Sequence, residues 1–325
     1  MKKLSTLTRR LRPSFLLNRF LLKARSIVPL FHFYFFLKNK SSFNSGTRNR
    51  TAFIVFSKNR PLQLESLLSS LFYYVKGSFE VHVLYDTENN RYQKAYEQLI
   101  EEKKGIPCLY FSKQKDSFKK SLVQIVETMQ ATRIFFLVDD ILFKNHFDLI
   151  TVEHVDPDQE IFSLRHGRHL DYCYMLNQQQ PMPSFSYRKD FLQWKWKKAS
   201  LDWAYVLSVD GHLFSTADVL FWVRNLSYKA PNSFEVALQC FKKHYQSLSG
   251  ICCDKSIIFN NPCNKVQTEV ANTHGKEDSL SQLSLLTLWE KEYRIDFKVL
   301  EGFSNTSVHQ EISLVLMNKN TYASA

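Results

Sequence analysis

Two adjacent carboxylates, Asp139 and Asp140, follow the apolar run Arg133–Val138 (RIFFLV). Oxygen donors delivered together to a strand end suit a hard divalent cation, Mg²⁺ or Mn²⁺, which takes carboxylate ligands and shares them with substrate phosphates. The other reading of the pair is an acidic N-cap for the next segment. Asp210 stands in Ser208-Val209-Asp210-Gly211-His212, just after Trp203 and Tyr205. A carboxylate there has the chemistry of a general base beside a sugar ring, if a hydroxyl proton comes within hydrogen-bond reach. Taken alone, an Asp-Gly pair reads more simply as a turn. His309, in Ser307-Val308-His309-Gln310-Glu311, offers a late metal ligand or a phosphate contact, or is a packed histidine. Arg165 and Arg168 have the fork geometry that binds a diphosphate, or are surface charges.

The elements that position these groups are legible in the hydrophobic pattern. Ala52–Phe56, Phe79–Tyr85, Pro107–Phe111 and Arg133–Val138 read as short buried strands. Between them lie helical patterns: one opened by Pro61, one over Asn90–Lys104 and one over Ser117–Met129. Strands alternating with helices predict a parallel sheet covered on both faces, with ligands beyond the carboxyl ends of its strands. Three such ends are polar: Ser57-Lys58-Asn59-Arg60, Asp86-Thr87 and Asp139-Asp140. Further on, Ile161–Leu164 and Ile257–Phe259 read as strands, and Thr216–Leu226, Ser233–His244 and Leu280–Glu292 as helices.

Composition excludes several classes. The net charge of +12 belongs to one end: residues 1–50 hold twelve of the 43 Lys and Arg and no Asp or Glu, which leaves the rest balanced at 31 against 31. A neutral body of this kind is not a nucleic-acid coat. The eight glycines are scattered, so neither a Rossmann fingerprint nor a P-loop exists. There is no G-x-S-x-G elbow and no H-E-x-x-H helix. Six cysteines without a C-x-x-C pair read as free thiols of a reducing, cytoplasmic compartment. The apolar stretch Ile27–Leu37 is too short to span a bilayer, which takes about 20 residues. Its mixture with Arg and Lys suits instead a peripheral contact of residues 1–40 with an anionic membrane, on its inner face; a helix packed on the domain is the other reading. The organisation expected is a basic, aromatic arm with its linker over residues 1–50 and one domain over 51–325.

Several blocks carry a family resemblance. Ala52-Phe-Ile-Val-Phe-Ser-Lys-Asn-Arg-Pro-Leu-Gln-Leu64 resembles the opening of nucleotide-sugar-dependent glycosyltransferases of the A fold, close to the family-2-like group. Val138-Asp139-Asp140-Ile141 is similar to their metal-binding acidic motif, with an adjacent pair where Asp-x-Asp is usual. Trp203–Phe214 and Pro231-Asn-Ser-Phe-Glu235 resemble blocks of bacterial members, and Asn264–Gln267 and His309–Glu311 resemble their later blocks. The resemblance covers about residues 51–316. It implies an α/β fold with a mainly parallel, mixed central sheet flanked by helices, and a nucleoside diphosphate sugar as donor. It puts Ser57, Asn59, Arg60 and Asp86 at the nucleotide and Arg165 at the diphosphate. Asp139, Asp140 and His309 would hold Mn or Mg, and Asp210 would activate the hydroxyl of a glycan or lipid-linked acceptor, as in surface polysaccharide biosynthesis. The altered acidic motif sustains a rival expectation, a glycosyltransferase-like scaffold at the membrane that has lost the chemistry.

Overall fold

The computed structural model describes residues 29–40, 50–262 and 281–319. Residues 1–28 of the arm, the expected linker 41–49 and the block Asn264–Gln267 lie outside the described residues. In chain order, residues 29–39 form a helix (α1). Then follow β1 (Thr51–Lys58), α2 (Pro61–Tyr74), β2 (Phe79–Asp86), α3 (Asn90–Lys103), β3 (Leu109–Lys113), α4 (Phe118–Thr128), β4 (Arg133–Val138) and β5 (Ile141–Phe143). The second half supplies β6 (Glu160–Ser163), β7 (Ser186–Arg188), β8 (Phe191–Lys195), β9 (Leu213–Ser215), α5 (Thr216–Asn225), α6 (Pro231–Leu238), β10 (Ser249–Cys252), β11 (Ile258–Asn260) and α7 (Gln282–Glu290).

The central sheet has the order β9-β4-β1-β2-β3. β4, β1, β2 and β3 run parallel and β9 closes the edge antiparallel. The four parallel strands follow the alternating pattern, and the mixed, mainly parallel sheet flanked by helices is the one that the family resemblance implies. β1 is apolar on both faces because both are covered, as in parallel sheets generally. Phe53 and Val55 join Phe135 and Leu137 under α2, α3 and α7, while Ala52, Ile54 and Phe56 join Ile134 and Phe136 under α4 and α5. Alternate residues of one strand thus feed two cores. Asn89 and Ser117 cap α3 and α4 with side-chain oxygens, fixing where each helix starts after its strand.

A second sheet, β7-β8-β10-β6, packs beside the first. It holds a buried cluster of Trp194, Trp196 and Trp203 around His166 and His212. The hairpin β7–β8 and the edge strand β9 have no counterpart in the hydrophobic pattern, and the helix expected over Ser233–His244 is broken. α6 ends at Leu238, Gln239–Phe241 tighten to a 3₁₀ turn, and Lys242–Tyr245 restart the helix. The break turns Phe241 and Tyr245 toward Phe33 of α1, at ring distances of 4.4 and 5.9 Å.

α1 is docked on the body. Phe33 is 3% exposed, Phe36 stacks on Phe221 at 4.8 Å, and buried Lys40 pairs with Asp158 and, at 2.8 Å, with Asp218. Its outer face leaves Leu30, Phe31, Tyr34 and Phe35 exposed. The packed-helix reading thus holds for the inner face of residues 29–39. Cys108, Cys173, Cys240, Cys252 and Cys253 are free thiols, and Cys263 lies outside the described residues.

Candidate active site

The chain goes from β1 outward to β2 and β3, then returns to place β4 on the other side of β1. Between β1 and β4 the direction of winding reverses, and at such a switch point the two loops part and leave a crevice at the carboxyl ends. Ser57-Lys58 and Asp139-Asp140 face each other there. Asp139 N–H still bonds the Phe56 carbonyl at 3.1 Å, so the carboxylate pair emerges where the ladder ends.

Arg60 organises this mouth. Its Nη1 donates to Asp139 Oδ1 at 2.8 Å and to Asp140 Oδ2 at 3.2 Å. Asp139 Oδ2 accepts from the Ser57 hydroxyl at 2.9 Å and from Lys58 N–H at 3.1 Å. Both oxygens of Asp139 are thus engaged in tying β1 to β4. Tyr96 of α3 backs the arrangement, its hydroxyl 2.6 Å from Ser57 Oγ and accepting Arg60 N–H; burial pushes its phenol far above the ordinary value, so it stays protonated. Asn59 takes φ +55°, a left-handed bend that Asn tolerates better than most residues. Its Oδ1 accepts Glu88 N–H and its own N–H reaches the Asp86 carbonyl, which locks the end of β1 to the end of β2.

Asp210 reaches the same mouth from the second half of the chain. Gly211, at φ +76°, donates to the Phe136 carbonyl of β4 and accepts from Leu164 N–H beyond β6. A Cβ there would stand 2.4 Å from Ile258 Cδ1, so only glycine lets this turn sit between the two sheets. The Asp-Gly turn and the site carboxylate are one feature. Asp210 Oδ2 lies 3.1 Å from Arg165 Nη1 and 3.6 Å from His309 Nε2. Burial raises its pKa, but His309 and Arg165 together outweigh burial and hold the carboxyl below the ordinary value. Asp140 goes the other way: burial, with Asp139 and Asp210 near, lifts it against the pull of Arg60.

His309 arrives through a single parallel bridge to Asn260, the last residue of β11, and β11 pairs antiparallel with β5 just after the acidic pair. Asn260 Nδ2 donates to Asp140 Oδ1 at 3.2 Å. The Asn260 amide oxygen and His309 Nδ1 are buried without hydrogen-bond partners among the described residues. Among those residues no three His, Cys, Asp or Glu side chains form a ready metal-ligand set. Asp140, Asn260 and His309 stand side by side, Asn260 bonded to Asp140 and bridged to His309, and they offer a carboxylate, an amide oxygen and an imidazole nitrogen. That O, O, N set suits Mn²⁺ or Mg²⁺, whereas Asp139 is taken up by Arg60, Ser57 and Lys58.

One cavity of about 770 Å³ collects these groups. Ser57, Arg60, Asp86, Asp139, Asp140, Arg165, Asp210 and His309 all line it. Asn59 does not; it shapes the loop behind the wall. Arg168 pairs at the surface with Asp254 and Tyr187 instead. The ends of β1, β2 and β3 share the lining with residues from 173–176, 201–210 and 229–236. Asn260 and Glu235 are among the lining residues that the sequence does not mark as site residues. Asn260 had no signal. Glu235 closes the block Pro231-Asn-Ser-Phe-Glu, whose family resemblance assigns it no role.

No family model matches the chain. A curated relative, the bifunctional glycosyltransferase pgtA of Dictyostelium discoideum, is 25% identical over 261 residues, covering 66% of this chain and 33% of that protein. The chain therefore spans about a third of the length of the curated relative it matches. Among solved structures, S. aureus TarS (residues 1–349, in complex with UDP-GlcNAc) overlaps 68% of this chain and 60% of its own at 16% identity and a TM-score of 0.43. A mannosyltransferase of Pyrobaculum calidifontis, in complex with GDP-Man and Mn²⁺, overlaps 44% of this chain and 46% of its own at 16% identity and a TM-score of 0.29. The chain is thus similar in sequence to a glycosyltransferase, and its mixed, mainly parallel sheet flanked by helices is of the fold class that the sequence blocks imply.

Proposed function

We propose that the protein transfers a sugar from a nucleoside diphosphate sugar to a hydroxyl acceptor, a glycan or lipid-linked precursor, with the aid of Mn²⁺ or Mg²⁺. The observation that carries this reading is the convergence of three polar strand ends, two buried arginines and the Asp140, Asp210 and His309 side chains on one cavity. The β1–β3 end, with Ser57, Arg60 and Asp86, receives the nucleotide. Arg60 and Arg165, 8% and 2% exposed, face the middle and offset charge on the leaving diphosphate. Fixed donors aimed at developing charge in a site that excludes water are the largest single source of rate in such transfers. Asp140, Asn260 and His309 would hold the cation, which when bound supplies further Lewis-acid charge to the diphosphate. Asp210 stands between the diphosphate end and the acceptor end, anchored on Arg165.

The test is calorimetric titration of UDP- and GDP-sugars in the presence of Mn²⁺, on the wild type and on Asp140→Ala. Binding by the wild type that weakens at least tenfold in the variant is expected. Absence of binding in both removes the reading and leaves the scaffold alternative.

We place the protein on the cytoplasmic side of an anionic membrane. No helix among the described residues is long and apolar enough to cross one. The support is the exposed Leu30, Phe31, Tyr34 and Phe35 face of α1, preceded by residues 1–28 with eight Lys and Arg and no acid. An amphipathic face of this kind lies in the lipid interface, and each base adds roughly 1 kcal/mol near an anionic leaflet.

A further inference from the structure

Asp210 and Glu235 both line the cavity, and they are held differently. Asp210 is the counter-ion of Arg165, which is 2% exposed and has Nη1 shared between Asp210 Oδ2 and Ser208 Oγ. A proton on Asp210 would strand that guanidinium without its partner, and a buried unpaired charge is expensive. His309 Nε2 on the same oxygen adds a second group that favours the anion. Glu235 carries no such obligation. It sits in the second turn of α6, a helix fixed by Pro231 at its first position and by Ser233 hydrogen bonds around Ala230. Its Oε1 accepts Val209 N–H at 3.1 Å, the residue next to Asp210, and both carboxyl residues line the one cavity. A carboxylate has about four acceptor positions, so this bond leaves it able to accept from a substrate hydroxyl.

We propose that Glu235 takes the proton from the acceptor hydroxyl, and that Asp210 is a positioning anion that holds Arg165 and His309. The inference rests on the glycosyltransferase reading above and changes the role expected for Asp210. The hydroxyl oxygen forms its new bond to the anomeric carbon as the bond from that carbon to the diphosphate oxygen breaks, its electron pair leaving with the diphosphate. The hydroxyl proton passes to a Glu235 oxygen. The step is one displacement, with inversion.

The groups around Glu235 agree with this. Burial first, then Asp210, push its pKa up to about 7, against the pull of Val209 N–H, Arg165 and Ser208. Tyr205 faces it as a neutral phenol whose own pKa burial and Glu235 raise. Lys229 lines the cavity from the loop before α6. Of the two carboxyls, Asp210 is engaged by the Arg165 guanidinium while Glu235 is held by a backbone N–H, which leaves Glu235 the better placed to take a proton.

The experiment uses the full chain, Mn²⁺, a panel of UDP- and GDP-sugars, and water as the acceptor, and follows release of nucleoside diphosphate from pH 5 to 9. In the wild type kcat/KM is expected to fall with unit slope below about pH 7, because the base works deprotonated. Glu235→Gln keeps an amide oxygen for Val209 N–H; it is expected to bind donor within about twofold of wild type, to lose roughly 10²–10⁴ in kcat and to lose the acid limb. Glu235→Asp is expected to restore the limb and part of the rate. Asp210→Asn is expected to lower kcat while keeping the limb. A Glu235→Gln protein that turns over within threefold of wild type, or that keeps the limb while Asp210→Asn loses it, overturns the assignment. A wild type that neither binds nor turns over any donor overturns the glycosyltransferase reading itself, which a surviving acid limb in Glu235→Gln does not.

Discussion

At the scale of single residues, Arg60 decides how the acidic pair behaves. One guanidinium lies within 3.2 Å of two carboxylates and is itself 8% exposed. Its removal leaves two nearby carboxylates buried without a cation. Arg60→Ala is therefore expected to cost about 3–5 kcal/mol, read as the shift in urea midpoint at constant slope. Asp139 and Asp140 are neighbours with different tasks: the first is spent on Ser57, Lys58 and Arg60, the second keeps company with Asn260 and His309. Asp140→Asn should then abolish the response of turnover to Mn²⁺ and cost about 3 kcal/mol of transition-state stabilisation, roughly a hundredfold in kcat/KM, with little change in thermal midpoint. A variant that still needs Mn²⁺ as the wild type does would disprove the role. The sequence raised both carboxylates without separating them, because the difference lies in their partners, which come from β1, the Arg60 loop and β11.

At the scale of elements, α1 has two faces with separate consequences. Phe33 lies among Phe221, Phe241 and Tyr245, so Phe33→Ala is expected to destabilise by about 3–5 kcal/mol through the cavity it leaves. Phe31→Ser with Phe35→Ser removes only exposed rings, 61% and 50% accessible. That pair should leave the melting curve in place and lower co-sedimentation with vesicles containing anionic lipid severalfold. Equal loss of stability in the two variants would show that both faces are packed. The four parallel strands and the three helices between them follow the hydrophobic pattern to within two residues at their ends. Runs such as AFIVF and RIFFLV can satisfy themselves only inside a covered sheet. β9 was invisible because three residues, Leu213–Ser215, become a strand only through pairing with β4. The broken helix after α6 was read as continuous because its apolar spacing does continue; the turn at Gln239–Phe241 answers to α1, which lies two hundred residues away in sequence.

At the scale of the whole molecule, the second sheet surrounds two histidines that cannot hold a charge. Burial pushes His212 down to about 3 and His166 well below its ordinary value, and each also raises the cost of charging its neighbour or faces Arg165. Unfolded, both bind a proton near pH 6.5. Their contribution to stability is thus fully present above that pH and is lost as pH falls from about 6.5 toward 3. The expected slope is up to about 1.4 kcal/mol per pH unit for each histidine. His212→Asn, whose amide can still donate to the Val206 carbonyl as Nδ1–H does, should flatten the dependence of the urea midpoint on pH between 6 and 4. An unchanged slope would assign acid lability elsewhere.

The class of fold, the three polar strand ends, the concentration of +12 in the first fifty residues and the list of groups able to do the chemistry are all legible along the chain. Those properties are local: a strand is buried or not by its own apolar run, and charge is counted along the chain. Which groups meet depends on packing in three dimensions. Arg165, Asp210, Glu235, Asn260 and His309 are spread over 145 residues and converge because a glycine turn at 211 wedges between two sheets and one bridge ties Asn260 to His309. The role of a carboxyl group depends on whether its partner is a guanidinium, an imidazole or a backbone N–H, and at those distances in sequence no pattern along the chain fixes the partner.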